Sequence, residues 1–148
     1  MSERLRVALD IETSLVYGRR LLEGVSRYLR ANRPWSIYIE QHALASDLTG
    51  FLKRWNGDGI ITRQANPESI KLLKRRHLAA IDLGDIHPHL GLLRIGSAQG
   101  TIGRMAAEHL LERGFESFAC CGFEGEHWSH RRRDGFIAEI GHAGFHTS

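Results

Sequence analysis

At 148 residues the chain is long enough for one domain with a sizeable core. Apolar residues make up 42% and charged residues 25%, an ordinary globular balance, and no apolar run is long enough to span a membrane. The formal net charge of +3 needs only a solvated basic face and does not demand a nucleic-acid partner. The first apolar run, Leu5-Arg6-Val7-Ala8-Leu9, begins almost at once, without a secretory segment before it, which is the expectation for a cytoplasmic protein.

Short strand-like runs alternate with longer helical ones, the pattern of a parallel α/β sheet. Residues 5–11 read as a first strand. Residues 16–29 follow with helical spacing, Leu21, Leu22, Val25, Tyr28 and Leu29 on one face, and Asn32-Arg33-Pro34 ends them. Residues 36–40 form a second strand and 48–55 a short helix. Gly57-Asp58-Gly59 supplies a tight turn into a third strand ending at Thr62. Asn66-Pro67-Glu68 opens another helix, with proline in the first turn where its missing N–H is harmless. Strands are expected over 78–83 and 92–95. Ser97 is placed to cap a helix reaching Arg113, with Gly114 as its stop. A sixth strand over 115–121 and a helix over 132–143 complete the order. Helices cover both faces of such a sheet, and ligands bind beyond the carboxyl ends of its strands. Function is therefore expected after Ile11, Thr62, Leu83, Ile95 and Gly122.

Asp10-Ile11-Glu12 resembles the acidic end of a phosphate-accepting receiver strand, but that chemistry needs an aspartate where Thr62-Arg63 stand. The glycines at 96, 100 and 103 lack dinucleotide spacing and follow the fifth strand. They read as sites of close helix packing. His87-Pro88-His89 and His127-Trp128-Ser129-His130 are histidine clusters without an acid or cysteine set of metal-ligand spacing, and His142 and His146 share a face only if the last helix runs that far. The adjacent Cys120 and Cys121 read as reduced core residues. No serine lies in a nucleophile-elbow context. The chain is thus read as a non-enzyme with no metal and no cofactor.

The segment from Glu126 to Phe136 is the most informative. Arg132, three residues before Gly135-Phe136, is expected at a helix start after a strand end. Its fork of donors can bridge two neighbouring hydroxyls, and Trp128 offers an apolar face to a sugar ring. The alternative is a solvated basic first turn, unfavourable against the helix dipole.

Asn56-Gly57-Asp58-Gly59-Ile60-Ile61, Ala106 to Phe115, and Arg132-Arg133-Asp134-Gly135-Phe136 stand in an order that resembles the effector domain of the lactose/galactose-repressor family. They match its "DGII" strand, its "HL-x-x-x-G" helix end and its "R-x-x-G-F". Tyr17 to Val25 and Trp128 to Phe136 are more similar still to the xylose-operon regulator branch. The resemblance covers essentially the whole chain and implies a type I periplasmic-binding-protein-like fold whose two Rossmann-like lobes close over a sugar. Residues 1–114 would be most of the first lobe, and 115–148 the first strand and helix of the second.

DNA-binding helices of the arabinose-activator type would follow after residue 148, since the first strand leaves no room for a preceding helix-turn-helix. Matching positions imply ligand contacts from Glu12, Thr13, Tyr17, Arg63 and Asp85, with Arg132 as the clamp and Trp128 beside it. Gly96-Ser97 stand where the family often has Asp-Asn, which leaves the sugar open between D-xylose and another monosaccharide. The implied function is a sugar-responsive transcription regulator acting as a homodimer on DNA, with no membrane partner. A periplasmic-type sugar-binding protein for transport is the alternative. Residues 1–148 alone are expected to bind sugar weakly, and Phe136, Ile137 and Ile140 to lack partners.

Overall fold

The computed structural model describes residues 4–32, 34–40, 48–84 and 91–147. They form two compact units, Met1–Ile95 and Gly96–Ser148, a division that falls ahead of the 114/115 boundary expected from the sequence.

The first unit is a five-stranded sheet of β1 (Arg6–Asp10), β2 (Ser36–Glu40), β3 (Gly59–Thr62), β4 (Ala79–Asp82) and β5 (Leu93–Arg94), joined by α1 (Val16–Ala31), α2 (Leu48–Arg54) and α3 (Pro67–Arg75). The strand order is β2-β1-β3-β4-β5 and every pairing is parallel. Side chains alternate between the two sheet faces, and the sequence supplies apolar residues to both. On one face Ala8 and Ile60 pack with Leu48, Phe51, Leu52, Trp55 and Leu73 from the α2–α3 side. On the other, Val7 and Leu9 pack against Leu21, Leu22 and Val25 of α1. Tyr28, expected on that same helical face, instead lies half exposed against Trp35, ring centroids 5.4 Å apart.

Local chemistry sets the element ends. Asn66 and Ser69 form a reciprocal capping box at the start of α3, with Pro67 in its first turn. Arg76 donates to the carbonyls of Leu52 and Trp55, satisfying acceptors at the end of α2. In the turn before β3, Asp58 accepts from Arg6 N at 2.7 Å and donates its own N–H to Arg6 O at 2.8 Å. Any Cβ on Gly57 would lie 2.2 Å from the Trp55 ring, so only glycine fits there.

The second unit is built on α4 (Gln99–Leu111) and α5 (His127–His142). Glycines bring the two backbones together: a Cβ on Gly103 would sit 1.9 Å from Arg132 O, and one on Gly135 would sit 2.2 Å from Gly100 O. The packing role expected of Gly96, Gly100 and Gly103 is seen at Gly100 and Gly103, whereas Gly96 precedes α4 and has nothing within 4 Å of where a Cβ would stand. Phe136 and Ile140 are not left without partners, because they bury against Ala107 and Phe118, with Leu110, Leu111 and Phe145 around them. Ile137, on the far side of the turn, is 42% exposed.

Several expectations for this stretch are corrected. Ser97 does not cap α4: the N-cap is Ala98, with no side-chain cap. The strand expected over 115–121 is a single parallel bridge between Phe118 and Thr147 among the described residues, since a strand needs neighbours along its whole length. Helix α5 begins at His127, five residues earlier than expected, so Arg132 lies in its second turn. It ends at His142, so His146 does not share it. Cys120 is half-buried against the core but Cys121 is exposed, and both are free thiols. Gly114, with φ +75°, follows α4 in the left-handed region, as a helix stop requires.

Candidate functional site

Parallel register lines up Asp10, Thr62, Asp82 and Arg94 as direct neighbours across β1, β3, β4 and β5 at the carboxyl edge of the sheet. Three of the four are buried: Asp10 1%, Thr62 0% and Asp82 3% exposed. Burial of such groups is tolerable only where they are satisfied. Thr62 Oγ1 donates to Asp10 Oδ2 at 2.5 Å and accepts from Gln64 N at 3.0 Å. Asp82 accepts from Gly84 N through Oδ1 at 2.8 Å, and from Arg94 Nε and Nη2 through Oδ2 at 3.1 and 3.0 Å. Sequence reasoning missed Asp82 and Arg94, because a strand aspartate signals nothing until its neighbour across the sheet is known.

Just beyond this row the structure joins three of the residues singled out from the sequence. Glu12, 4% exposed, is ion-paired with Arg63, and the Arg63 guanidinium lies over the Tyr17 ring with its carbon 4.7 Å from the centroid. Arg63 Nε has no hydrogen-bond partner among the described residues. Burial lowers the Arg63 pKa from its ordinary value and the Asp82 carboxylate opposes that shift. Arginine still keeps its charge at any ordinary pH. Gly18 permits the arrangement, since a Cβ there would lie 1.8 Å from Glu12 O. Arg19 holds the intervening turn by donating to the carbonyls of Thr13 and Ser14, both at 2.8 Å. The Thr13 side chain is exposed and joins none of these contacts. Asp85 lies outside the described residues, as do His87 and His89.

In the second unit, Trp128 and Arg132 are i and i+4 on α5, so they share a helix face. The Arg132 guanidinium lies over the Trp128 ring at 4.9 Å. Arg132 Nε also donates to Gln99 Oε1 at 2.6 Å, a partner 33 residues away that the sequence did not signal. Trp128 Nε1 donates to Glu126 Oε2 at 3.0 Å, and its ring centroid is 5.6 Å from that of Phe123. Buried Ser129 accepts from Phe123 N at 2.8 Å and fixes the loop entering α5. The Trp128 indole is therefore already in contact with three side chains of its own unit, Arg132, Glu126 and Phe123. Arg132 is half-buried and oriented, unlike the solvated basic turn that was the alternative.

A family model described as the XylR N-terminal domain matches residues 6–89. The xylose operon regulatory protein of Haemophilus influenzae is 30% identical over 142 residues, covering 89% of this chain and 36% of its own length. Among solved structures, that of the xylose-binding transcription activator XylR has a TM-score of 0.78 at 23% identity, covering 99% of this chain and 38% of that one. A periplasmic ribose ABC transporter protein from Conexibacter woesei has a TM-score of 0.80 at 16% identity, over 99% of this chain and 53% of that one. Such identities establish a shared fold, the type I periplasmic-binding-protein-like one. The chain spans little more than a third of the length of the curated relative.

Proposed function

The chain belongs to the XylR N-terminal domain family, and from that premise we propose that it is the effector-binding part of a sugar-responsive transcription regulator. Its effector is a monosaccharide, with D-xylose the first candidate. The observation that carries this reading is the Glu12–Arg63–Tyr17 cluster beyond the carboxyl ends of β1 and β3. A buried ion pair adds little to stability, and a strand-end position is where α/β folds bind ligands. Arg63 Nε is buried without a partner among the described residues, an unsatisfied donor of the kind that functional sites retain. Arg132 is assigned as a second sugar contact, and Thr13, Asp85 and Trp128 as further contributors.

The protein binds and does not turn over its ligand. The lobes follow the two compact units, the first ending with β5 and the second beginning with α4. DNA recognition belongs to arabinose-activator-type helices outside residues 1–148, in a cytoplasmic homodimer. Sugar controls DNA binding only through its different affinities for the two states of the regulator. A transport protein of the same fold is the alternative, and the regulator relatives favour the first reading.

Calorimetric titration of the complete protein with D-xylose, other pentoses and hexoses is the test. Saturable D-xylose binding, lost in Arg63→Ala and in Arg132→Ala, is the expected result. A folded protein that binds none of these sugars would end the proposal.

A further inference from the structure

We propose that Gln99 is a positioning residue that aims Arg132 at the effector, an inference that rests on Arg132 being a sugar contact. An arginine side chain has four rotatable bonds, and ordering it on binding costs conformational entropy. Any bond that fixes the guanidinium beforehand lowers that cost. Here two contacts fix it. Stacking on Trp128 at 4.9 Å sets the plane of the group, and the Nε–H···Oε1 bond to Gln99 at 2.6 Å sets its rotation within that plane. The two terminal nitrogens have no partner among the described residues, so the fork remains for a ligand.

The backbone has been shaped to allow this. Gln99 is the first residue of α4, and its neighbour Gly100 meets Gly135 of α5, three residues after Arg132. The closest approach of the two helices thus lies beside the Gln99–Arg132 bond. A larger residue at 103 or 135 would force the helices apart and lengthen that reach. The chemistry of the partner matters as much as its place. Glu12 engages a terminal nitrogen of Arg63 and neutralises its charge. Glutamine, by contrast, is neutral and occupies only Nε, so Arg132 keeps its full positive charge and both ends of its fork.

The test uses Gln99→Met, which has similar bulk without an acceptor, and Gln99→Glu, which restores one. Nitrogen-15 NMR of the arginine Nε–H groups reads the bond with no ligand present, and calorimetry with D-xylose on the complete protein reads its use. Gln99→Met should speed Arg132 Nε–H exchange and weaken D-xylose binding by about tenfold or more, as for one hydrogen bond to a charged group. The folded state should lose no more than about 1–2 kcal/mol, and Gln99→Glu should recover slow exchange but leave D-xylose binding weaker than with glutamine, because its carboxylate neutralises the arginine. Unchanged Nε–H exchange in Gln99→Met would overturn the positioning role. So would undiminished affinity in that variant when Arg132→Ala abolishes binding. If Arg132→Ala itself binds D-xylose normally, the assignment of Arg132 as a sugar contact fails, and the positioning role with it.

Discussion

Single side chains at the strand ends carry opposed demands of burial and charge. Removing one member of a buried ion pair strands the other, a larger loss than the pair itself ever contributed. Arg63→Met is therefore expected to destabilise the first unit by about 3 kcal/mol, because Glu12 is left buried without its counter-charge. The double variant Glu12→Gln with Arg63→Met should recover most of that loss, and urea unfolding of the three proteins measures it. Thr62→Val tests the neighbouring row: it removes the hydroxyl bonded to Asp10 at 2.5 Å. The cost should be about 2 kcal/mol by the same measurement, the penalty of a buried acceptor losing its donor.

At the level of helices and strands, glycine positions divide by what surrounds them. Gly103→Ala drives a Cβ onto a backbone carbonyl that has nowhere to go, and should cost about 3 kcal/mol through displacement of α4 from α5. Gly24, in the middle of α1, faces open space, with nothing within 4 Å of where a Cβ would stand. Gly24→Ala should therefore stabilise by about 0.5–1 kcal/mol. Thermal melts of the two variants should move in opposite directions. The first unit was legible because Gly57-Asp58-Gly59 and Asn66-Pro67 punctuate runs of clean alternation. The start of α5 was not. Glu126 to Arg131 offers no apolar period and no side-chain cap, and this turn is set by Ser129 and by the fit against α4. Ser97 misled for the converse reason: a good capping residue that stands too early. Of the candidate site, Glu12, Tyr17 and Arg63 were readable as strand-end residues. Their mutual contact, and Gln99 beside Arg132, depend on register and helix crossing that no local spacing encodes.

For the molecule as a whole, two compact units mean separate cores, one on each face of the sheet and one between α4 and α5. Hydrogen exchange should register this separation. Gly103→Ala should raise exchange in α4 and α5 while amides of β1 and β3 keep their protection, and equal loss in both units would show one cooperative block instead. The placement of Trp128 has an optical consequence. Indole emission responds to a charge lying over its ring, and the Arg132 guanidinium sits there at 4.9 Å. Trp55 is buried in the sheet core, away from the strand-end polar row. A ligand held by the Arg132 fork changes the field at that ring while the guanidinium stays stacked, and would therefore shift the colour of one tryptophan, giving the protein a built-in fluorescent gauge of occupancy that needs no dye.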